Sequence, residues 1–529
     1  MKLERLHESV LPSIALLSGL SLAIVAGFLA GNGQTGSVMM LMGAIAAVAF
    51  LLIVRQRMWM LIPATWMLSG KISVLPVPFS IAQTSILFAF GTYLLLKAFK
   101  VIRLRPKFDL VDTWMSVVLV YLLMVFIRNP VGVEALGSDR VGGRPYVDVI
   151  IAFLAFWVLR QSVASPREAF FVPLLGVVGH GFHAVLNAIA YRFPSTVGPL
   201  SRLYSGIGAA ENPDALPPMP GEEASRLSYL QGLGVGMFAY ACARWRPFTL
   251  LNPLKIGRFL IFAFAVFAVL QSGFRSALIG LAQWFLLSTY FRRGVPEVGR
   301  VMVLGAVGIA LLVAVQGTLI NLPLPMQRTL SFLPGQWDYA AKSDAKGSTE
   351  WRVEMWKTML TGNKYIANKW FGDGFGFTRR QLEIMSANRL TGGTADQQEN
   401  IMIGGGVHSG PVSSIRYVGY VGLILFLIFV TLIAIRGVRL IRRSQDTPHY
   451  TLALMIGIPS VLFPFNFIFI FGAFEGDLPN ALFACGMQKL LENSLDAYEA
   501  SQKKATEPVE AKQRIQPRRP RYAPVGHLG

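Results

Sequence analysis

Five arginines and one histidine carry the chemistry this sequence offers. Arg202 and Arg226 border a polar stretch. Arg275 sits in QSGFRSALIG, Arg352 in TEWRVEMWKTML, and Arg416 follows His408 in HSGPVSSIRYVGYVG. A guanidinium offers a planar fork of N–H donors that grips two phosphate oxygens at once, and it stays charged at physiological pH. Several on one surface make a site for a diphosphate. A neutral imidazole beside them takes a proton from an attacking hydroxyl near pH 7. Plainer roles compete. An arginine at the end of an apolar run is commonly an anchor to lipid headgroups, and a lone histidine is commonly a surface residue. Arg275 departs from the anchor pattern, because its turn is too short to reach far from a bilayer.

Other motifs carry less. His180 and His183 share a helix face in HGFH, but no Cys, Asp or Glu accompanies them at ligand spacing, so a packed polar pair is the better reading. Gly232, Gly234 and Gly236 lie inside an apolar run with no strand before them and read as close helix packing. Gly372, Gly374 and Gly376 in FGDGFGF mark a turn. No Lys-Ser/Thr pair follows, so they do not form a phosphate loop. Cys242 and Cys485 are the only cysteines and offer no disulfide framework.

The elements that must position these residues are membrane helices. Hydrophobic residues make up 53% of the chain and charged ones 15%, and the mean hydropathy is +0.49. Apolar runs recur at the length needed to cross a bilayer. They lie near 13–30, 36–54, 58–70, 80–97, 111–127, 146–160, 169–190, 227–243, 257–271, 275–291, 299–320, 411–435, 452–472 and, more weakly, 479–493. The first is read as a span, not a cleaved signal peptide. The fold class is thus an all-α polytopic membrane protein of about 12–14 spans. The chain divides into N-terminal spans (1–320), an outer loop subdomain (321–410), C-terminal spans (411–495) and a basic, disordered inner tail (496–529). Helix in the loop is expected over TEWRVEMWKTML, with Trp351, Met355 and Trp356 on one face.

Orientation follows from Lys and Arg. With the N-terminus inside, the basic loops at 55–57, 97–107, 244–258, 292–300 and 436–443 are all inside. The same alternation places Arg202, Arg226, Arg275, Arg352, His408 and Arg416 together outside. The net charge of +20 then belongs to inner loops facing anionic lipid and does not indicate nucleic acid.

Three segments resemble the O-antigen ligase-like superfamily, which includes O-antigen ligases, O-antigen and exopolysaccharide polymerases and some protein O-oligosaccharyltransferases. They are SGFRSALIGL at 272–281, RVEMW at 352–356 followed by FGDGFGF at 371–377, and HSGPVSSIRYVGYVG at 408–422, in the family's order. The resemblance is specific over about 270–435. It implies a bundle of the lipid-dependent glycosyltransferase type in a bacterial inner membrane, with the outer loop capping a periplasmic site. It implies an undecaprenyl-diphosphate-linked glycan donor, a glycan or lipid acceptor, no metal or other cofactor, and work beside other polysaccharide assembly proteins. By carry-over Arg275 binds the donor diphosphate with Arg226, or secondly Arg202, and His408 deprotonates the acceptor. Arg352 and Arg416 join the substrate-binding set. The chain departs from the family at Phe274, Ser276, Ser409 and Tyr417; many members carry Glu at the last. Ligase and polymerase share these motifs. A polysaccharide transporter or flippase is the rival reading, and calls for mid-membrane polar sites or inverted repeats with broken helices.

The orientation has a direct test. A cysteine at Ser343 is expected to react with an impermeant maleimide in intact cells, and one at Ser501 only after permeabilisation. Labelling of Ser501 from outside would overturn it.

Overall fold

The computed structural model describes residues 55–68, 70–73, 79–98, 108–132, 138, 140–207, 227–391 and 393–506. The expected spans at 13–30 and 36–54, Arg226 and the chain beyond Thr506 lie outside the described residues. Helix makes up 77% of the structure, and among the described residues six helices are long and apolar enough to cross a membrane. This is an all-α membrane protein.

The bundle is built from α1 (Leu61–Thr65), α2 (Ile81–Ala98), α3 (Leu110–Arg128), α4 (Arg144–Arg160), α5 (Pro166–Arg192), α6 (Val197–Leu203), α7 (Ser228–Arg244), α8 (Ile256–Gln271), α9 (Arg275–Arg293) and α10 (Val295–Val315). The 321–410 segment contributes α11 (Leu324–Leu330), α12 (Tyr339–Thr361), α13 (Arg379–Thr391) and α14 (Thr394–Gly404). The chain ends in α15 (Gly410–Arg443), α16 (Tyr450–Phe465, continued by a π-helical turn at Asn466–Ile470) and α17 (Phe474–Thr506). Helix is what apolar runs must form where no water can satisfy the backbone. Local signals set the ends. Capping boxes start α3 at Asp109 with Asp112 and α5 at Ser165 with Glu168. Gly294, at φ 79°, ends α9 and lets α10 begin at once.

Polar contacts between helix ends sort into two sides. On one side Arg57 pairs with Glu168, Arg160 with Asp112, and Arg443 with Asp496 and Glu499. On the other, the Lys71 N–H donates to Ser205, Ile72 bridges Tyr204, Gln83 donates to Asp148, and Arg128 reaches Phe371. Each pair joins ends that the alternation of spans puts on the same side. The short 58–70 stretch obeys it too. It is a 3-10 turn plus α1 followed by extended chain, yet it runs from Arg57 beside Glu168 to Lys71 beside Ser205.

The first side is closed by a buried charge network. Lys489 lies within 2.6 Å of Asp109 and 3.2 Å of Asp112, and Arg436 within 3.5 Å of Asp109 and 3.6 Å of Glu492. It ties α3, α15 and α17 together. Paired in this way, ionised side chains are tolerated at depth. The inner tail differs from the sequence reading, because 496–506 continue α17 as helix, held by the Arg443 pairs.

The opposite side is organised by a break in α15. Gly419 adopts φ 71°, ψ −178° inside the helix. The break frees backbone groups, and the loop after α12 takes them. The Asp373 N–H donates to the Arg416 carbonyl (3.0 Å) and the Gly374 N–H to the Tyr417 carbonyl (2.8 Å); the Tyr420 N–H donates to Lys369 (2.9 Å) and the Val421 N–H to Trp370 (3.2 Å). The FGDGFGF segment is thus inserted into a broken helix. A two-residue ladder continues the seam, β1 (Arg140–Val141) antiparallel to β2 (Phe377–Thr378). Gly372, Gly374 and Gly376 all have positive φ, as the expected turn requires. The backbone at Gly419 is essentially open to glycine alone, at a cost of about 1–3 kcal/mol for other residues. A Cβ there would also lie 2.2 Å from the Trp370 carbonyl. Gly419→Ala is expected to destabilise the protein by more than about 2 kcal/mol, read as a drop in the thermal unfolding midpoint in detergent; an unchanged midpoint would refute the docked arrangement.

Candidate functional site

The docked loop is held by side chains from three helices and the β1 strand. The Asp373 carboxylate accepts from the N–H groups of Ala367 (2.8 Å) and Asn368 (2.9 Å) and pairs with Arg416 at 3.4 Å. Arg128 donates to the carbonyls of Phe371 and Gly372, and Arg140 to that of Asp373 (2.6 Å). Tyr121 donates to the Val418 carbonyl at 3.0 Å, and Tyr146 accepts from the Phe375 N–H. Phe375 is fully buried among Tyr146, Tyr417 and Phe474. Sequence reading puts Arg416 with the substrate-binding arginines. In the structure Arg416 is 1% exposed and faces Asp373. It holds the loop. Arg128 and Arg140 are missed by the sequence reading, because their partners are backbone carbonyls far along the chain.

His408 lies at the mouth of this assembly. It follows α14 and precedes the Ser409 cap of α15, and its φ is +53°, uncommon for a residue with a Cβ. The conformation is enforced from both sides. Trp356 of α12 donates to the Val407 carbonyl at 2.8 Å, and Gly410 packs against Phe467. The imidazole stands between Trp351, at 6.4 Å, and Phe471, at 4.9 Å between ring centroids. Backbone strain of this kind, about 1–3 kcal/mol, persists where the surroundings over-determine it and concentrates at functional sites. The expected apolar face of α12 exists: Trp351, Met355 and Trp356 pack with Met359, Val407 and Val412. Arg352 follows Trp351 on α12 and is half-buried.

Arg275 opens α9. The turn before it is tight, with Gly273 at φ 75° and the Ser272 hydroxyl on the Val269 carbonyl at 2.7 Å. Arg275 is half-buried, and no side chain caps the helix start. Against this turn lies α11, whose Thr329 hydroxyl donates to the Leu270 carbonyl at 3.2 Å. α11 carries Arg328, buried beside Thr329. Sequence reading passed over Arg328, since nothing in PMQRTLSF says the segment folds back onto the 270–275 turn. Two helix pairings therefore stand out: α11, which carries Arg328, lies against the turn before Arg275, and α12, which carries Arg352, reaches His408 through Trp351. α12 follows α11 in the chain and links them. A deeper link is the hydrogen bond from Gln283 of α9 to Asn466 (2.8 Å), whose π-helical turn leads to Phe471 against His408.

Arg202 stands apart. It is exposed on α6, whose end is sewn to the 71–73 segment through the Leu203 carbonyl and Ser205. Arg226 lies outside the described residues. The HGFH pair is packed as expected. The His180 ring lies over Gly232 and Gly236, and His183 is near Tyr204 and Asn187, each at 3.4 Å. Tyr417, standing where many members of the resembling family have Glu, donates to a carboxylate brought from elsewhere, Glu475 at 3.0 Å. On the loop's far edge Lys364 donates to Glu399 at 2.6 Å, and this hydrogen bond holds the Glu399 carboxyl below its usual range. No family model matches the chain, and no curated protein matches it.

The Asp373–Arg416 pair has a separable test. Asp373→Asn keeps an acceptor for the Ala367 or Asn368 N–H but strands a buried guanidinium, a change that costs about 3–5 kcal/mol. Thermal unfolding of the purified protein is expected at a much lower temperature, with part of the loss recovered in Asp373→Asn/Arg416→Met. A wild-type midpoint for the single variant would show that the pair holds nothing.

Proposed function

We propose that this protein is a membrane glycosyltransferase that moves a glycan from a lipid diphosphate carrier, of the undecaprenyl diphosphate type, to a hydroxyl acceptor. The reading has about 12–14 spans in a bacterial inner membrane and the site on the periplasmic face. The observation that carries it is the outer rim: a histidine clamped in a strained conformation by an aromatic helix, on the same side as a helix start that bears Arg275 with Arg328 folded against it. Resemblance to the O-antigen ligase-like superfamily over 270–435 supports the same reading, with ligation of a finished glycan and polymerisation of repeats both within its scope.

The chemistry balances without a further reactant. The acceptor oxygen attacks the anomeric carbon while the bond from that carbon to the diphosphate oxygen breaks. The acceptor proton passes to the neutral His408 imidazole. The diphosphate leaves with the bonding pair, and Arg275, assisted by the positive end of α9, stabilises its growing charge. In this reading Arg328 shares that task and Arg352 meets the acceptor. Transport is less well supported. The unwound stretch at Gly419 does not line a path, since its backbone groups are spent on the 369–374 loop.

Purified protein supplied with a fluorescent lipid-diphosphate oligosaccharide and an acceptor tests the assignment. His408→Ala is expected to leave donor binding intact and lower turnover by about 10²–10⁴-fold. Arg275→Ala should weaken both donor binding and rate, and Arg275→Lys should recover only part, because an ammonium cannot make the bidentate contact. Full activity in both alanine variants, with unchanged thermal unfolding, would reject the site.

A further inference from the structure

The membrane-embedded helices turn on the side opposite the candidate site through ARWRPFTLLNPLKIGR, between α7 and α8. A cleft of about 530 Å³ opens there, lined by Trp245, Lys255, Ile256, Gly257, Arg258 and Ile261. Its chemistry is two-sided. The Arg258 guanidinium lies over the Trp245 ring at 5.7 Å, and Lys255 stands beside it. The neighbouring Leu254 is 91% exposed and Ile256 69%. In water those side chains would be a liability; at a bilayer surface they have acyl chains to meet. The charge is of one sign. No Asp or Glu occurs between Glu223 and Glu297, while the hairpin carries Arg244, Arg246, Lys255 and Arg258. Within this run Arg244 is engaged over Phe170 at 4.7 Å. The cleft thus offers cations and an aromatic ring at its mouth and an apolar wall leading down α8. We propose that it is a binding site for one anionic phospholipid, with Lys255 and Arg258 holding the phosphodiester and Ile256 and Ile261 contacting the first acyl carbons. Trp245 serves as the floor that aligns Arg258. Nothing in this assignment depends on the reaction at the other side.

Vesicles of phosphatidylcholine doped with brominated lipid provide the test, since bromine quenches a nearby indole. The full-length protein is reconstituted with a minor fraction of either brominated phosphatidylglycerol or brominated phosphatidylcholine. The Trp245 signal is taken as the difference from Trp245→Phe. Brominated phosphatidylglycerol is expected to quench it more strongly, with a preference that falls about fivefold for each cation removed in Lys255→Gln and Arg258→Gln. Lys255→Glu, at an exposed position that leaves the fold intact, should abolish the preference alone. Equal quenching by the two lipids would mean ordinary annular contact and overturn the site. So would a preference that survives in the double variant. Displacement of the brominated lipid by inorganic phosphate, but not by chloride at equal ionic strength, would assign the cleft to a free anion instead.

Discussion

The half of this molecule that carries His408 depends on one exchange of backbone hydrogen bonds. Breaking α15 at Gly419 leaves the carbonyls of Arg416 and Tyr417 and the N–H groups of Tyr420 and Val421 without helical partners. Each such group, buried and unpaired, carries a penalty of about 1–3 kcal/mol. The 369–374 loop repays all four at once. The insertion is possible only because glycine stands where the two backbones meet. A Cβ on Gly372 would lie 2.4 Å from the Tyr417 carbonyl, and one on Gly419 2.2 Å from the Trp370 carbonyl. Loop and helix therefore specify each other. Neither the left-handed turns of FGDGFGF nor the break in α15 would be stable alone.

The candidate site inherits its geometry from this seam. His408 is nine residues ahead of Tyr417, and α14, which delivers it, is anchored by the Tyr417 hydroxyl on the Gly404 carbonyl. α12 is fixed from the other end, through the loop that follows it and through Trp356 on the Val407 carbonyl. An imidazole held between Trp351 and Phe471 loses little freedom when a substrate arrives. That is the condition under which a base contributes most to rate. The fixed α12 also sets where Arg352 can stand.

Much of this was legible in sequence. The helices at 81–98, 110–128, 144–160, 166–192, 228–244, 256–271, 275–293 and 410–443 lie where apolar runs were read, because a span must bury its backbone whatever its neighbours are. The turn at FGDGFGF, the apolar face of α12 and the close packing at Gly232 and Gly236 were legible for the same local reason, though not that the His180 ring is what packs there. What was not legible is partnership. Arg416 looked like its fellow arginines, and only the fold reveals that Asp373 neutralises it. Arg128, Arg140 and Arg328 gave no signal, since carbonyls from distant loops leave no mark near an arginine. Tyr417 gave no sign that its hydroxyl meets the carboxylate of Glu475, which belongs to another helix. The continuation of α17 through 496–506 was missed because its stabilising arginine, Arg443, belongs to another helix.

The disposition of the arginines then follows from the cost of burying charge. A guanidinium taken out of water must be neutralised or spread over several acceptors. The molecule does this wherever a cation serves structure: Arg436 with Asp109 and Glu492, Arg416 with Asp373, and Arg128 and Arg140 on backbone carbonyls. A cation meant for a diphosphate answers to a second condition. It must sit where water can hydrate it until the anion comes, and where the anion can then exclude that water. Partial burial meets both demands, and Arg275 is half-buried at the start of α9, behind the tight 272–274 turn.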